Sequence, residues 1–392
     1  MIPPASKGNL ALNRTSSKAD RLKVTIVAAS LQYVGGQSVQ ADLLRRCWHD
    51  DPDVEVRFIP IDPALPRLLR WVEQVPFLRT LVRQPIYLFS LWRDLEYSDI
   101  AHIFSASYWS FLVAPAPALW IARLRKKKAI IHYHSGEARD HLQRFRSARA
   151  ILPKADRLVV PSEYLVRVFR EFGLEAQAIP NIVDMSQFSF RRRRLLRPHL
   201  VCTRGFHPYY GLDVVVRAFA EVQKQFPEAR LDLVGKGPLE GEIRALVQKL
   251  NLSGVYFMGV ASRQEIGRVY DQADIFVNAS WLDNMPVSIL EAFASGTPVV
   301  STAAESIPYL VEHERTGLLS AVGDAQALAG NVIRLLQDPV LAERLASKAH
   351  DESASYGWPA VREQWLETYR SLQVRRSEPE DWGDLNRVPG SS

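Results

Sequence analysis

Residues 273–301 read ADIFVNASWLDNMPVSILEAFASGTPVVS, and this stretch decides the fold of the chain. Its two short apolar runs, Ala273–Val277 and Thr297–Ser301, predict buried strands. Pro286 can begin a helix between them, because the first helical turn has no use for the N–H group that proline lacks, and Ser295-Gly296 can end that helix. Strand, loop, helix and strand in this order are typical of a parallel α/β sheet.

Two carboxylates interrupt the apolar pattern of this stretch. Asp283 lies in the loop, and Glu291 lies about one turn inside the helix. A buried carboxylate is costly unless it has partners, and a ligand rich in hydroxyl groups would supply them. The free N–H groups at the start of the helix would hold an anion. The alternative interpretation is a buried helix in which Glu291 pairs with a nearby arginine.

The run DNMPVSILEAFASGTPVV at residues 283–300 resembles the acidic-x7-Glu signature of retaining, nucleotide-sugar-dependent glycosyltransferases of family 4, which have the GT-B fold. The resemblance implies that Glu291 binds the ribose of the donor nucleotide and that Asp283 contacts the transferred sugar. The family more often has Glu where this chain has Asp283. The resemblance also implies donor contacts from the loop and the helix start, at Asn284, Met285, Pro286 and Val287.

Length and composition indicate an ordinary globular protein with two domains. The chain has 392 residues, of which 47% are hydrophobic and 23% charged, and a chain of this length exceeds one hydrophobic core. Its two cysteines, Cys47 and Cys202, lie far apart, so neither a disulfide framework nor a cysteine metal site is expected. A reducing compartment fits this pattern.

The net charge of +6 and the pI near 9.3 favour anionic partners, such as phosphates or acidic lipid surfaces. The chain has no zinc-finger spacing and no RNA-binding motif, so a nucleic-acid partner is not expected. Residues 1–20 lack the apolar core of a signal peptide and predict a disordered leader, and residues 377–392 predict a disordered tail. No uninterrupted apolar run is long enough for a transmembrane helix.

The first half begins with a predicted strand, Lys23–Ala29, a Gly35-Gly36 loop and a helix. This order is typical of a mononucleotide-binding unit, although the two glycines could also form a simple tight turn. The resemblance implies that Gly36 lies beside the donor phosphate and the acceptor. It also implies that His134, which follows a strand at 129–133, contacts the donor sugar. We expect His132 to face the opposite side of that strand and to be structural.

The second half begins with a strand at Leu200–Thr203 that ends at Arg204. The resemblance implies that Arg204 binds the donor diphosphate. In the family a downstream lysine completes this clamp, but Tyr210 lies just before the corresponding glycine, and the loop is one residue longer. A missing cation weakens the stabilisation of the leaving diphosphate, unless hydrogen bonds from Tyr210 and His207 replace it.

Two further segments of the second half resemble donor-binding parts of the family. A strand-to-turn segment at Gly235-Lys236-Gly237 resembles the second loop on the phosphate side, where Lys236 could offset the missing lysine. Val260 follows a strand at the place where relatives hold the nucleobase. The basic run at residues 191–194 predicts an exposed linker between the domains.

Residues 62–97 combine arginines with tryptophan, phenylalanine and leucine at helical spacing. This pattern is typical of a surface that lies in a membrane interface and equally of amphipathic helices packed on the sheet. A second basic cluster, residues 123–128, could attract anionic lipid headgroups or could simply face solvent. Residues 109–124 predict a buried helix between two strands.

The alternation of strands and helices predicts an α/β protein of the GT-B type, with two Rossmann-like parallel-sheet domains facing each other across a cleft. We expect an N-terminal acceptor-binding domain at 21–197, a nucleotide-sugar domain at 198–356, and a helix at 357–376 that crosses back to the first domain. Asp51-Pro-Asp53 forms an Asp-x-Asp pattern, but its place between a helix and a strand predicts a turn.

The resemblance implies the transfer of a sugar from a UDP- or GDP-sugar to an acceptor hydroxyl, with retention of configuration and without a metal or other cofactor. The acceptor would be a glycan, a lipid-linked or a small molecule, in polysaccharide or glycolipid synthesis. The enzyme would lie in the cytoplasm, either free or peripheral on the inner face of the membrane. The alternatives are a non-catalytic GT-B partner protein that binds a nucleotide or glycan, and a GT-B sugar-nucleotide epimerase.

Overall fold

The structure is a computed structural model that describes residues 21–30, 35–65, 67–105 and 107–374. The predicted leader and tail lie outside the described residues. Twelve parallel strands form two separate sheets of six, as the sequence predicts for two α/β domains. Each sheet is covered by helices on both faces, which explains why its strands read as continuous apolar runs.

The first sheet contains the strands of the N-terminal half. These are β1 (Leu22–Ala28), β2 (Val54–Pro60), β3 (Ile100–Ser105), β4 (Lys128–Tyr133), β5 (Arg157–Val160) and β6 (Gln177–Ala178). Their order is β2-β1-β3-β4-β5-β6. β1 lies between β2 and β3, with Val24 opposite Val56 on one side and Ile100 on the other.

Helices of the first half cover this sheet unequally. They are α1 (Gly36–Cys47), α2 (Pro76–Asp94), α3 (Tyr108–Val113), α4 (Pro115–Leu124), α5 (Ala138–Arg144), α6 (Arg146–Ile151) and α7 (Glu163–Glu171). One hydrophobic cluster joins α2 to α7 on one face of the sheet, and α1 covers the other face. A 3₁₀ helix, Arg67–Gln74, precedes α2.

The second sheet has the order β12-β11-β10-β7-β8-β9. Its strands are β7 (His199–Cys202), β8 (Arg230–Val234), β9 (Val255–Gly259), β10 (Ile275–Asn278), β11 (Val299–Thr302) and β12 (Leu318–Ser320). The remaining helices are α8 (Leu212–Gln225), α9 (Glu240–Lys249), α10 (Arg263–Gln272), α11 (Val287–Ala294), α12 (Ala325–Gln337), α13 (Pro339–Ser353) and α14 (Trp358–Val374). Residues 273–301 form β10, α11 and β11.

The last helix, α14, packs on the first sheet rather than on the second. Its residues Val361, Trp365 and Tyr369 are buried in the same cluster as α1. Arg362 donates hydrogen bonds to Asp51, with Nε 2.6 Å from Oδ2, and to Asp53. The Asp-x-Asp sequence therefore holds this helix, and among the described residues no group of three or more potential ligands is placed to hold a metal ion.

The predicted exposed linker at residues 191–194 is partly wrong, because Arg193 is only 3% exposed. Its guanidinium donates hydrogen bonds of 2.7, 2.9 and 2.7 Å to the carbonyl oxygens of Tyr270, Ser295 and Gly296. These carbonyls lie at the ends of α10 and α11, where the last turn of a helix leaves acceptors without partners. A guanidinium with five N–H groups can satisfy several of them at once.

The predicted buried helix at residues 109–124 is also partly wrong. It is two helices, α3 and α4, which break at Ala114 because Pro115 has no N–H group to continue the hydrogen-bond ladder. Several of its large side chains are exposed, namely Trp109, Val113, Trp120 and Leu124. Within the described residues, no helix combines the length and the apolar composition that crossing a membrane requires.

Candidate functional site

The loops at the carboxyl ends of three strands meet in the gap between the two sheets. β4 leads into His134, β7 leads into Arg204, and β10 leads into residues 279–286, which we name the acidic loop because it contains Asp283. Parallel α/β sheets place their ligand sites at this edge. The arrangement therefore brings together three of the predicted site residues, two from the second domain and one from the first.

The acidic loop contacts the first domain directly. The side-chain amide of Asn284 donates to the carbonyl oxygen of His134 at 3.2 Å and accepts from the hydroxyl of Ser162 at 2.9 Å. The amide of Asn181 donates to the carbonyl oxygen of Met285 at 3.0 Å. A cavity of about 260 Å³ lies beside these contacts and is lined by both domains. Asn284 and Met285 thus set the distance across the gap.

Arg204 and Asp283 form a buried ion pair. Nη2 of Arg204 donates to Oδ2 of Asp283 at 2.5 Å, and Nη1 donates to Ser288 Oγ at 3.2 Å. The hydroxyl of Ser280 donates to the same carboxylate at 3.2 Å. Burial raises the pKa of Asp283, while Arg204 and Ser280 oppose that rise. The pair keeps one cation at the start of α11.

Tyr210 lies against Arg204, at the position where the family resemblance predicts a lysine. The centre of its ring is 3.8 Å from the guanidinium carbon, a cation–π contact. The turn that carries it is tightly packed, because a Cβ at Gly211 (φ +60°) would lie 2.1 Å from the carbonyl oxygen of Ala279. Tyr210 therefore orients the cation that is present and does not add a second one.

Glu291 lies partly buried inside α11, and in the part of the chain that the structure describes no cation is hydrogen-bonded to its carboxylate. The hydroxyl of Tyr270 lies 3.0 Å from Glu291 Oε2, 2.9 Å from the carbonyl oxygen of Ser288 and 2.7 Å from the hydroxyl of Thr203. Burial raises the pKa of Glu291 to about 7, against the hydrogen bond from Tyr270 and the charge of Arg204. The alternative interpretation, in which Glu291 pairs with a nearby arginine, therefore does not fit. The arginine pairs with Asp283 instead.

His134 belongs to a row of histidines. Its ring centre lies 4.0 Å from that of His132, so the expectation that the two face opposite sides is wrong. Residues two apart in a strand point to the same face. Nδ1 of His132 lies 3.1 Å from Nε2 of His102, whose Nδ1 lies 2.8 Å from the hydroxyl of Tyr369. Burial lowers the pKa of His134 to about 3, so this imidazole is neutral at pH 7.

The start of α11 is open to a ligand. Pro286 caps this end without a side-chain hydrogen bond, and Val287 is the first helical residue. Its first N–H groups are therefore available to an anion. Across the gap Gly36 begins α1, and a Cβ placed there would meet none of the described residues within 4 Å. Both positions leave room for a ligand between the domains.

The turn after β8 packs against the backbone of Arg204. Gly235 adopts φ +151°, and a Cβ there would lie 2.5 Å from the carbonyl oxygen of Arg204. The N–H of Phe206 donates to the carbonyl oxygen of Lys236 at 3.0 Å. The side chains of Lys236 and Val260 are exposed. The turn and the Arg204 loop thus form one packed unit.

Two family models match the chain, one in each half. Residues 34–187 match the model described as Glycosyltransferase Family 4, and residues 197–338 match the model described as Glycosyl transferases group 1. The structure of HepE from Anabaena in complex with UDP and glucose covers 90% of this chain and 100% of its own, with a TM-score of 0.71 and 17% identity. The chain has the GT-B glycosyltransferase fold.

Curated relatives match parts of this GT-B chain. An exopolysaccharide phosphotransferase from Streptomyces coelicolor is 30% identical over 58% of this chain and 24% of its own length. The amylovoran biosynthesis glycosyltransferase AmsK from Erwinia amylovora is 36% identical over 32% of this chain and 33% of its own length. The chain thus spans a third or less of the length of these two relatives.

Two residues that shape this GT-B site, Tyr270 and Ser288, were not predicted from the sequence, and neither was the side-chain role of the predicted Asn284. Tyr270 holds Glu291 from α10, Ser288 binds Arg204, and Asn284 contacts the first domain through its side chain rather than only its backbone. Ser288 could have been found, because it lies one turn before Glu291 on the polar side of an otherwise apolar helix. Tyr270 carries no such signal, since an aromatic residue in a helix is usually part of the core.

Proposed function

We propose that this GT-B chain is a retaining glycosyltransferase, which moves a sugar from a UDP- or GDP-sugar to an acceptor hydroxyl. One observation carries the proposal: a buried arginine, Arg204, lies at the open start of α11 between Asp283 and the helix that carries Glu291. A nucleotide sugar has the matching order, with a diphosphate between two groups rich in hydroxyls. The fold shared with HepE, which was solved with UDP and glucose, supports this donor class.

Arg204 and the start of α11 would stabilise the leaving diphosphate. When the donor binds, the guanidinium exchanges part of its contact with Asp283 for phosphate oxygens, and the N–H groups at Val287 and Ser288 add the positive end of the helix dipole. The ring of Tyr210 keeps the guanidinium in place during this exchange. Because these groups supply the positive charge, the proposed reaction needs no metal and no other cofactor.

The two acids would then bind the two ends of the donor. Glu291 accepts hydrogen bonds from the ribose hydroxyls, and Asp283, released from Arg204, accepts them from the transferred sugar. His134 and Gly36 approach from the first domain, where the neutral imidazole can donate or accept a hydrogen bond. The backbone of residues 235–236 and Val260 would lie on the nucleotide side.

The acceptor would enter from the first domain. Matched relatives named for an exopolysaccharide and for amylovoran support polysaccharide synthesis as the setting. We place the reaction in the cytoplasm, where nucleotide sugars are made, with a glycan, a lipid-linked or a small-molecule acceptor.

Nucleotide release from a panel of UDP- and GDP-sugars, with and without glycan and lipid acceptors, tests the proposal. We expect Arg204→Ala to abolish turnover. Arg230→Ala is the matched control, because Arg230 also stacks on a tyrosine, Tyr256, at 4.4 Å and binds an aspartate, Asp232, but begins β8, at the opposite edge of the second sheet from the site. Equal loss in both variants would contradict the proposed role of Arg204.

The same panel separates the alternatives. Tyr210 in place of the family lysine favours a non-catalytic nucleotide-binding protein as the second candidate, and binding without turnover across the panel would support it. Turnover without any acceptor would indicate an epimerase. The anomeric configuration of the product, measured by NMR, tests retention, and an inverted product would overturn that part of the proposal.

A further inference from the structure

The outward side of α2, α3 and α4 carries large apolar side chains that the core does not use. Leu81 is 71% exposed and Trp109 is 72% exposed. The opposite side of α2 and α3 forms the core, because Tyr87, Leu91 and Phe111 are fully buried against the first sheet. We name the exposed set the aromatic face: Leu81, Phe89 and Trp92 on α2, Trp109 on α3, and Trp120 and Leu124 on α4.

These side chains belong to one continuous surface, because the three helices are joined side by side. The amide of Gln84 donates to the carbonyl oxygen of Val113 at 2.8 Å, and the hydroxyl of Tyr87 donates to that of Ala114 at 3.0 Å. At the other end the guanidinium of Arg125, just after α4, lies 3.9 Å from the ring centre of Trp92 on α2. A continuous patch of exposed apolar side chains on a single protein marks an interaction site.

Cations surround the aromatic face. Residues 107–128 contain five basic residues and no acidic one. Three cations lie directly over exposed aromatic rings: Arg125 over Trp92, Lys154 over Trp120 at 5.3 Å, and Arg93 over Phe89 at 5.9 Å. Carboxylates are present as well, since Asp94 binds Arg93 and Glu96 lies 3.6 Å from Arg125. Lys128 also pairs with Asp156 at 2.8 Å, and the other four basic residues of this segment lie at the end of α4 and in the turn after it.

Aromatic rings beside cations fit a membrane surface better than a protein partner. Tryptophan and phenylalanine prefer the depth of the lipid headgroups, where the ring is buried and neighbouring cations meet anionic phosphates. Charge complementarity therefore selects an anionic bilayer as the partner.

The aromatic face reaches the edge of the gap between the domains. Trp109 lies in the first turn of α3, just beyond the carboxyl end of β3, and its ring packs edge-on against Phe145. The neighbouring Tyr108 donates a hydrogen bond of 2.7 Å to Asp140 on α5, a helix that begins four residues after His134. A molecule anchored in the bilayer beside Trp109 would thus have its headgroup near the first-domain side of the site.

We infer that the aromatic face docks the chain on an anionic membrane surface and presents the gap to a lipid-linked acceptor. The docking stands on the exposed side chains alone, whereas the choice of a lipid-linked acceptor rests on the proposed function. Trp92, Phe89 and Trp109 enter the headgroup region, and the basic residues of 123–128 contact the lipid phosphates.

Flotation of the full chain with vesicles tests the docking. Vesicles of phosphatidylcholine alone are compared with vesicles that also contain phosphatidylglycerol, at low and high salt. We expect binding to the anionic vesicles only, weakened by salt, and a loss of about tenfold or more in the double variant Phe89→Ser with Trp92→Ser. The pair Trp109→Ser with Trp120→Ser should give a similar loss.

The matched control is Tyr256→Ser with Met258→Ser. These side chains are 48% and 51% exposed on β9 in the second domain, and Arg230 stacks on Tyr256 as Arg125 does on Trp92. The control should keep wild-type vesicle binding. Binding of UDP and GDP should be unchanged in all three double variants, which shows that each remains folded.

Absence of salt-sensitive binding to anionic vesicles would overturn the inference. So would a change in oligomeric mass in the Phe89/Trp92 variant without a change in vesicle binding, because the face would then join two copies of the chain. Vesicle binding requires no donor and no turnover, so its failure leaves the proposed function intact. Conversely, if the chain binds vesicles but transfers no sugar, the membrane-docking inference stands and the proposed function is rejected.

Discussion

Asp283 and Glu291 lie eight positions apart in one loop and helix, but their charges are balanced differently. Asp283 has a guanidinium and a hydroxyl within hydrogen-bond distance, whereas among the described residues Glu291 has only the hydroxyl of Tyr270. An ion pair offsets the cost of burying a charge far better than a neutral hydroxyl does. Glu291 is therefore the acid of this site that changes its charge near neutral pH.

Glu291→Gln should alter how stability depends on pH. The carboxyl loses its proton near pH 4.5 when unfolded and near pH 7 when folded, so between these values the unfolded state binds fewer protons. The free energy of unfolding of the wild type should thus fall by up to about 3 kcal/mol as pH rises through this window. Urea unfolding at a series of pH values should show that the variant lacks this decrease.

Donor affinity should have the opposite dependence, because the ionised carboxylate is the better acceptor for ribose hydroxyls. Titration calorimetry with UDP and GDP should show affinity rising with pH up to about 7 in the wild type and a flat profile in Glu291→Gln. Glu312→Gln, an exposed acid of the same domain, serves as the control. A wild-type profile in the Glu291 variant would remove this residue from the binding site.

Tyr210→Phe should retain activity, whereas Tyr210→Ala should lose it. Phenylalanine keeps the ring that stacks on Arg204 at 3.8 Å, and alanine leaves the guanidinium free to turn. A cation–π contact of this kind contributes about 0.5 to 2 kcal/mol, so we expect a loss of roughly 3- to 30-fold in kcat/KM for alanine. If both variants lose activity equally, the hydroxyl rather than the ring is the important group.

At the scale of secondary structure, the site is built by turns at the carboxyl ends of neighbouring strands. The turn after β8 packs against the loop after β7, and that loop packs against the acidic loop after β10. Because the contacts are between backbones, a side chain added at one turn displaces the next. Gly235 is packed against a neighbouring backbone whereas Gly36 is not, so alanine substitutions at the two positions test this packing.

Gly235→Ala should destabilise the fold and weaken donor binding, because its methyl group would meet the carbonyl oxygen of Arg204 at a positive φ. The expected cost is about 1 to 3 kcal/mol in unfolding. Gly36→Ala should leave the free energy of unfolding within about 0.5 kcal/mol of wild type but lower turnover, since a ligand would meet the added methyl group and none of the described residues would. Wild-type turnover in Gly36→Ala would exclude Gly36 from the site.

At the scale of the whole molecule, the chain returns to its first domain through α14. This helix buries Trp365 and Tyr369 beside β1 and β3, and Tyr369 touches the histidine row that ends at His134. The second domain is thus covalently tied at both ends to the first. The relative position of Arg204 and His134 depends on this return as well as on the acidic loop.

Arg362→Ala should weaken the packing of α14 on the first domain. Arg362 binds the buried Asp51 through two hydrogen bonds and Asp53 through a third, and its loss would leave a buried carboxylate unpaired. We expect a decrease of about 2 to 4 kcal/mol in the free energy of unfolding, measured in urea. Arg370→Ala removes an exposed bond to the same Asp53 and should cost less than about 1 kcal/mol. Equal effects would contradict a special role for Arg362.

Much of the fold could be predicted from the sequence, because each strand and helix carries a local pattern. The two-domain GT-B architecture is confirmed, and β10, α11 and β11 lie within two residues of their predicted positions. The wrong predictions have different causes. His132 was placed on the wrong face of its strand, and the linker arginine Arg193 pairs with helix ends that only the folded chain brings near it.

The sequence by itself determined the alternating strands and helices and the spacing that places Asp283 before α11 and Glu291 within it. Only the tertiary structure decided which acid pairs with Arg204, and that Tyr270 holds the other. The reason is physical: periodicity is a property of neighbouring residues, whereas the ionisation of a buried acid depends on groups that approach it from distant parts of the chain. Arg204 is 79 positions from Asp283 and becomes its partner only when β7 and β10 lie side by side.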